Sequence, residues 1–413
     1  MTEPVHDALI LGAGPAGATA ALLLARGGWN VAIVEKSRFP RRKVCGEFLS
    51  LTTWPVLQAL GVADAYLATA GPPVRRVALY ETDTDIAAAM PRADATHGAG
   101  RALGREHLDS LLLEAAIARG AECWQPWRGT TLERTDTGWR CLIEGDGATH
   151  PLHGRRVIAA TGSWERSPAF DPTALPHRDG DLLGFKAHFR NATLPEDLMP
   201  LLVFPGGYGG MVNTDAGRVS LSCCIRRDTL RSLRSAQPGR AGDAVIAHVA
   251  RSCEAVGRAL AKAELLESVL SAGPIQPGFR QCYNNGIFSI GNSAGEAHPI
   301  VAEGIGMAMQ SAWLLCRHLL TTPPGTSADS IGAAYQRDWR RHFAPRIRAA
   351  SAFARLALAP STHGVIRAVL RREPRLLTFG ARLSGKTHQV ATDGASIMGA
   401  FPSTPFTKAT SGH

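Results

Sequence analysis

The chain has 413 residues, of which 45% are hydrophobic and 19% charged, so it can bury a large core and is unlike a disordered or fibrous protein. This length predicts one large or two modest domains. Lysine and arginine exceed aspartate and glutamate by ten, which favours acidic partners or substrates.

The eight cysteines include no Cys-x-x-Cys pair, which argues against a zinc ribbon and against a secreted disulfide scaffold. The first apolar run is broken by glycines and a proline and does not fit a signal peptide. No uninterrupted apolar stretch is long enough to span a bilayer. We therefore expect a reduced, cytoplasmic protein without a metal site.

The amino-terminal residues read strand, glycine turn, helix, strand. Residues 7–11 are mostly apolar, residues 12–17 read Gly-Ala-Gly-Pro-Ala-Gly, residues 18–25 favour a helix and residues 29–34 are rich in β-forming residues. In this context the glycines allow a tight turn, a close approach of the backbone to a pyrophosphate, and close helix–strand packing. The pattern predicts a βαβ nucleotide-binding unit.

Glu35 closes the second strand, where a carboxylate can accept hydrogen bonds from both ribose hydroxyls. A 2′-phosphate would be repelled there, so FAD or NAD fits better than NADP. The residues that this unit assigns to nucleotide binding are Gly12, Gly14, Ala16, Gly17, Glu35 and Lys36.

Later elements mix helices and strands. We expect a helix at 106–119, strands at 140–143, 157–160, 185–189, 201–204, 219–225 and 287–290, and a helix at 307–320. Residues 322–326, Thr-Pro-Pro-Gly-Thr, form a linker to a mostly helical remainder. Residues 337–386 hold twelve basic and two acidic side chains, which accounts for the whole net charge.

The segment Lys43-Val-Cys45-Gly46-Glu47 follows shortly after Glu35. Here the sequence resembles the geranylgeranyl-reductase branch of the flavoprotein superfamily, which also includes aromatic hydroxylases of the p-hydroxybenzoate type and flavin-dependent halogenases. Similar members carry Lys-x-Cys-Gly-Glu just after the acidic residue. The resemblance implies that Lys43, Cys45 and Gly46 contact the cofactor.

Three further matches extend the resemblance to about the first 320 residues. Arg105, after Gly104, is similar to the arginine that contacts the flavin nucleotide, and residues 157–162 resemble the strand and turn beside the adenosine. Residues 291–306 resemble the segment that lines the flavin ribityl chain and ring. The resemblance thus implies FAD, held also by Arg105, Gly162, Gly291, Asn292, Pro299, Gly304, Ile305 and Gly306.

The chain also departs from its relatives. Asn292 replaces the usual aspartate, Ala160-Thr161-Gly162 stands where the aromatic hydroxylases have an Asp-Gly pair, and the Trp-x-Trp-x-Ile-Pro signature of the halogenases is absent. Residues 204–211 only partly match the Tyr-x-Trp-x-Phe-Pro element of the prenyl reductases. No second glycine fingerprint is visible, so we expect NADH or NADPH to bind transiently, with a separate reductase as the alternative.

Three side chains are candidates for catalysis. Cys45 could donate a proton or tune the flavin, His298 could act as a general acid or base, and Tyr208 could position a phenol or carbonyl. Each also has a structural interpretation: a small buried hydrophobe, a histidine bonded to backbone, and a packed aromatic ring. A different enzyme class, a hydrolase with Ser293 as nucleophile, follows from Gly291-Asn-Ser-Ala-Gly295 interpreted as a G-x-S-x-G turn.

The expected fold is α/β: a Rossmann-like FAD-binding domain of discontinuous segments, an inserted antiparallel substrate-binding sheet and a C-terminal helical segment. The FAD-binding domain would comprise 1–75, 98–180 and 276–322, the sheet domain 76–97 and 181–275, and the basic helical segment 323–413.

The leading hypothesis for function is a monooxygenase that hydroxylates a small apolar, phenolic or polyketide-like substrate with NAD(P)H and oxygen. The alternative is reduction of a carbon–carbon double bond, as in geranylgeranyl reductases. The substrate could be carrier-bound, and the basic C-terminal segment could contact an acidic surface. Nucleic acid is not expected, because few aromatic residues are interleaved with the arginines.

Overall fold

The computed structural model describes residues 5–91, 98–163, 178–236, 239–323 and 325–391. Parts of the predicted FAD-binding range 98–180 and of the C-terminal segment 323–413 therefore lie outside the described residues. The described helices are α1 Pro15–Arg26, α2 Trp54–Leu60, α3 Ala63–Thr69, α4 Arg105–Ala118, α5 Arg227–Ala236, α6 Ala241–Ser252, α7 Glu254–Leu260, α8 Gly304–Thr321, α9 Ala328–Ala357, α10 Pro360–Arg372 and α11 Arg375–Ala381.

The strands fall into two large sheets and two short pairs. They are β1 Val5–Leu11, β2 Val31–Val34, β3 Phe48–Leu49, β4 Arg76–Glu81, β5 Thr84–Ala89, β6 Arg101–Ala102, β7 Glu122–Trp124, β8 Arg128–Thr135, β9 Gly138–Gly145, β10 Ala148–Ala159, β11 Leu182–Arg190, β12 Leu198–Phe204, β13 Gly207–Asn213, β14 Val219–Arg226, β15 Glu264–Leu265, β16 Leu270–Ile275, β17 Gly278–Phe279, β18 Tyr283–Asn284, β19 Ile287–Ser289 and β20 Gly295–Glu296.

The first large sheet has the order β18-β19-β10-β1-β2-β7, and its strands β19, β10, β1, β2 and β7 run parallel. Such strands are covered on both faces, which explains the continuous apolar run in β1. Ile10 packs in the core that contains α1 and α8, whereas Leu9 packs against residues of β9 and β10. The carboxyl ends of these parallel strands therefore meet the glycine turn before α1.

The second large sheet has the order β15-β11-β14-β13-β12-β4-β5 and is antiparallel except for the β12–β4 pair. Strand alternation separates its two faces. Phe185 and Leu221 join a core with α6 and α7, whereas Leu79 and Tyr208 join a cluster with residues of α9 and α10. The latter face points away from α6 and α7 and toward the C-terminal helices.

The C-terminal helices are part of the molecule's core. Helix α9 begins after Ser327, whose hydroxyl accepts a hydrogen bond from the Ser330 N–H at 3.2 Å, and it buries Trp339, Phe343 and Ile347. Beyond α11, buried Lys386 donates to Val301 O at 2.7 Å and to Glu303 Oε1 at 2.9 Å. This pair ties the end of the described chain to the loop that precedes α8.

These two sheets and the helical C-terminal segment confirm the predicted α/β fold class. The predicted strand at 140–143 lies within the longer strand β9, and the predicted strand at 157–160 overlaps the end of β10, which stops at Ala159. Among the described residues, no helix combines the length and apolarity needed to cross a membrane.

Candidate active site

A cavity of about 1150 Å³ extends from the glycine turn before α1, between the two large sheets, to the inner side of α9, α10 and α11. Sixteen of the residues predicted from the sequence line it: Gly12, Gly14, Ala16, Glu35, Lys36, Lys43, Cys45, Gly46, Arg105, Gly162, Tyr208, Gly291, Asn292, Pro299, Gly304 and Ile305. Gly17, Gly306 and His298 are not in its wall. A Cβ on Gly306 would lie 2.7 Å from Thr53 Oγ1, so this glycine allows close packing of α8.

The glycine turn forms one end of the cavity. Gly12 has φ +105° and a Cβ there would lie 2.5 Å from Ala160 O, whereas a Cβ on Gly17 would lie 1.8 Å from Gly12 O. Both glycines are therefore needed for packing. A Cβ on Gly14 would meet only Arg105 Nη2, at 3.8 Å, so its side is open to a ligand. Helix α1 has no side-chain cap, which leaves its first N–H groups available to an anion.

Glu35 lies at the end of β2 beside this turn. Its carboxylate accepts hydrogen bonds from Ala13 N at 2.9 Å and Ser37 N at 3.0 Å and is buried in the cavity wall. A carboxylate has about four lone-pair sites, so acceptor capacity remains for ribose hydroxyls.

Arg105, Arg41 and Arg42 line this end of the cavity; the first two share the Asp109 carboxylate, and Arg42 pairs with Glu267. Arg105 donates to both oxygens of Asp109, each at 2.7 Å; burial alone would lower the pKa of Arg105, but the Asp109 carboxylate raises it above its ordinary value. Arg41 Nη1 lies 3.5 Å from Asp109 Oδ2. Arg41 Nε and two nitrogens of Arg42 are buried without a hydrogen-bond partner among the described residues. Unsatisfied buried donors beside an open helix terminus fit the pyrophosphate of FAD.

The loop after β19 begins the segment 291–306, which resembles a segment that lines the flavin, and it reaches the same cavity. Asn292 Nδ2 donates to Ser163 Oγ at 2.7 Å, and Arg280 donates to the Asn292 carbonyl. Gly162 N donates to Ser293 Oγ at 3.1 Å, which joins the loop to the end of β10. The segments that follow β10 and β19 are thereby held together beside the glycine turn.

The hydrolase interpretation of Ser293 is wrong. A nucleophile turn leads from a strand into a helix, whereas Ser293 ends a short 3₁₀ turn and the chain continues into β20. Its hydroxyl lies 3.3 Å from Thr161 Oγ1 and accepts from Gly162 N, and no described histidine is hydrogen-bonded to it.

A buried ionic cluster under the Cys45–Gly46 turn was not predicted from the sequence. Glu47 has φ +63°, is fully buried, and accepts hydrogen bonds from Lys186 Nζ and, at 2.9 Å, from His188 Nε2. Burial alone would raise the pKa of Glu47, but the His188 hydrogen bond and the Lys186 charge bring it well below its ordinary value. The signal available in the sequence was a lysine and a histidine, i and i+2, on one face of an apolar strand.

The cluster continues toward α4. Arg218 Nη1 lies 3.5 Å from His188 Nδ1 and 2.8 Å from Glu106 Oε1, and its other terminal nitrogen lies 2.5 Å from Asp215. Glu106, His107 and Asp215 are close enough together to bind a cation, but the Arg218 guanidinium already pairs with both carboxylates.

Of the three catalytic candidates, Cys45 and Tyr208 line the cavity and His298 does not. Tyr208 Oη is 3.1 Å from His298 Nδ1, so His298 stands behind Tyr208. Burial raises the pKa of Tyr208 well above 10, and burial together with the Arg355 charge lowers the pKa of His298 to about 4. Both groups are therefore neutral near pH 7. Cys45 lines the cavity, and its Sγ accepts from Glu47 N at 3.4 Å.

One more acidic residue in the wall was not predicted. Glu296 is 5% exposed, and Arg280 Nη2 lies 3.3 Å from its Oε2. Burial raises the pKa of Glu296. A Cβ on Gly162 would be 3.7 Å from Lys43 Nζ, so Lys43 faces the same part of the cavity.

Several known proteins are similar to this chain in sequence or in fold. Tryptophan 2-halogenase of Chondromyces crocatus is 25% identical over 370 residues, 81% of this chain and 65% of the halogenase. Digeranylgeranylglycerophospholipid reductase 2 of Methanopyrus kandleri is 25% identical over 319 residues, 72% of this chain and 73% of the reductase. A probable FAD-dependent monooxygenase of known structure from Pseudomonas aeruginosa has a TM-score of 0.71 at 20% identity, covering 88% of this chain and 100% of that one.

The chain thus spans just under two thirds of the halogenase's own length. Residues 6–350 match the model of the FAD binding domain family. This match covers the glycine turn, Glu35, Arg105 and the loop after β19, and it confirms both FAD as the predicted cofactor and the predicted superfamily. The chain therefore belongs to the FAD binding domain family of flavin-dependent enzymes.

Proposed function

We propose that the protein is an FAD-dependent monooxygenase that hydroxylates a small apolar, phenolic or polyketide-like substrate. NADH or NADPH would supply two electrons as hydride, one oxygen atom of O₂ would be inserted into a C–H bond of the substrate to form a hydroxyl, and the other would leave as water with the hydride's hydrogen and one proton from solvent. The similar proteins include a probable monooxygenase, a halogenase and a reductase. The choice among these three reactions therefore rests on the chemistry of the cavity.

The observation that carries this proposal is the apolar chamber beyond the flavin-binding end of the cavity. Its wall combines apolar side chains of the second sheet and of the C-terminal helices: Val77, Leu79, Leu201, Val203, Met211, Phe353, Ala357, Ile366, Leu370 and Leu377. Such a wall excludes water and selects by shape. It offers few groups that could bind a charged substrate.

The protein's own groups have separable roles in this proposal. The turn at Gly14, Glu35 and Arg105 bind the cofactor, and the chamber wall keeps water from the reacting atoms. The Tyr208 hydroxyl, backed by neutral His298, would hydrogen-bond a phenolic or carbonyl oxygen and orient the ring. When bound, FAD supplies the redox chemistry, accepting electrons from NAD(P)H and passing them to oxygen.

The test follows NADH and NADPH oxidation and oxygen consumption by the FAD-loaded protein with a panel of apolar phenols. We expect substrate-dependent oxygen uptake and a product heavier by one oxygen atom. The Tyr208→Phe variant should lose turnover about tenfold or more while keeping its FAD. Turnover that proceeds equally well without oxygen would refute the proposal.

A second candidate, reduction of a carbon–carbon double bond, is favoured by Cys45. This thiol lies in the cavity wall between Lys43 and the buried Glu47. In such a reduction a hydride and a proton add across the double bond and no oxygen is used. Anaerobic NAD(P)H oxidation with an isoprenoid alkene, lost in Cys45→Ala and kept in Cys141→Ala, would support this candidate over the monooxygenase.

A further inference from the structure

The outer side of the C-terminal helices, from the end of α9 to the turn after α11, carries a concentrated apolar surface. Eleven large hydrophobic side chains are exposed among the described residues, and six of them lie between residues 356 and 383. These six, which we call the outer patch, are Leu356, Val365, Val369, Leu376, Phe379 and Leu383. Single exposed apolar residues are ordinary, but a cluster of this kind marks an interaction site.

The outer patch follows helical periodicity. Val365 and Val369 are four residues apart on α10, and Phe379 follows Leu376 by three residues on α11. Val365 is 69% exposed and Phe379 55%. The opposite side of α10, with Leu370, lines the cavity. The two helices are thus apolar toward both the chamber and the surroundings.

Positive charge accompanies the outer patch. Arg372, Arg375 and Arg382 are exposed, and none forms an ion pair with a carboxylate in the described part of the chain. Arg367 and Arg371 differ, since they lie 3.5 Å from Glu81 and 3.6 Å from Asp83. Exposed arginines beside exposed leucine, valine and phenylalanine are typical of helices that lie in the headgroup region of a membrane.

The chamber reaches the same surface. Leu356 and Leu376 both line the cavity and are more than 40% exposed, so the rim of the cavity passes through the outer patch. An apolar molecule dissolved in a bilayer could enter there without crossing water.

We propose that the outer patch inserts into an anionic lipid surface and that the apolar substrate passes between this surface and the cavity. An acidic carrier protein would pair with the arginines but does not require the six apolar side chains, which is why we favour lipid. The proposal concerns the surface and holds for either reaction considered above.

The test is co-sedimentation of the full-length, FAD-loaded protein with vesicles of phosphatidylcholine alone or with one third phosphatidylglycerol. We expect binding to the anionic vesicles that weakens as salt rises. Replacing Arg372, Arg375 and Arg382 together by Gln should weaken it on the order of a hundredfold, at roughly fivefold per charge. Phe379→Ser with Leu383→Ser should weaken it at least tenfold.

The matched control is Ile117→Ser, which removes a similarly exposed side chain, 47% accessible, from α4. Its vesicle binding should equal that of the unmodified chain, and flavin absorption should show that all variants are folded and loaded. Absence of vesicle binding would overturn the proposal. So would a protein that dimerises without lipid and becomes monomeric in the Phe379→Ser, Leu383→Ser variant, because the outer patch would then belong to a second copy.

Discussion

At the scale of single residues, the most constrained group near the cofactor site is Glu47. It joins the Cys45–Gly46 turn to β11 through Lys186 and His188, with all three side chains buried. Its backbone has φ +63°, which is unfavourable for a residue with a Cβ and persists when the surroundings hold it. The cluster thereby determines where the turn stands relative to the second sheet.

We predict that Glu47→Gln destabilises the protein by about 3–5 kcal/mol, because it leaves the Lys186 charge buried without a counter-charge. Urea unfolding of the apoprotein measures this. The control is Asp197→Asn, which removes an exposed pair with Arg76 and should cost about 0–1 kcal/mol.

Since the pKa of Glu47 is lowered on folding, the stabilisation that its carboxylate contributes is present above about pH 4.5 and is lost as the pH falls below that value. Equal losses of unfolding free energy in Glu47→Gln and Asp197→Asn would contradict this role of Glu47.

A second prediction concerns Tyr208 and His298. Because the pKa of His298 is lowered to about 4 and that of Tyr208 is raised well above 10, both remain neutral across the usual assay range. The profile of kcat against pH should therefore show no histidine inflection near 6.5 and should fall only toward about pH 4. An inflection near 6.5 that disappears in His298→Gln would show that His298 ionises in the working range.

At the scale of elements, two glycines of the turn between β1 and α1 are there for different reasons. Gly17 is required by the turn's own packing, whereas Gly14 leaves a gap that the protein does not fill. The packing role of Gly17 can be tested without cofactor, whereas the role of the gap beside Gly14 can be tested only with it.

We predict that Gly17→Ala destabilises the apoprotein by about 3 kcal/mol or more, since its Cβ would lie 1.8 Å from Gly12 O. Gly14→Ala has an ordinary φ of −66° and should change apoprotein stability by less than about 1 kcal/mol. It should nevertheless weaken FAD binding at least tenfold, because the new methyl occupies the approach of the pyrophosphate. Unfolding and FAD titration of the two apoproteins separate these effects. Unchanged FAD affinity in Gly14→Ala would place the pyrophosphate elsewhere.

At the scale of the whole molecule, the cavity is built jointly by both large sheets and the C-terminal helices. Its flavin end depends on the parallel sheet, and its chamber is closed by α9, α10 and α11. The two ends should therefore respond independently to substitution.

We predict that Ala357→Phe, in the chamber wall at the end of α9, raises KM or abolishes turnover of the apolar substrate. FAD affinity and the flavin spectrum should stay unchanged, because Ala357 belongs to the cluster around Tyr208 and Leu79, away from the glycine turn. Ala352→Phe on the exposed side of the same helix is the control and should leave both properties intact. Loss of FAD in Ala357→Phe would contradict the separation of the two ends.

The local elements were predictable because their information is local. Glycine spacing, a closing glutamate and apolar runs of strand length determine β1, α1 and β2 through backbone conformation and close packing, within some thirty residues. The same holds for helix α8, which is followed by a proline- and glycine-containing linker. For these elements tertiary context only moved the ends, as at α8, which begins at Gly304.

By itself, the sequence therefore determined the βαβ unit and the FAD family, and it predicted sixteen residues that the structure places in the cavity wall. The tertiary structure alone decided that Glu47 meets Lys186, 139 residues away, and that Tyr208 meets His298, 90 residues away. It alone placed α10 and α11 over the chamber, with one apolar side inward and the other exposed. Such pairings depend on how sheets and helices pack across the whole chain, and no spacing within a single segment encodes them.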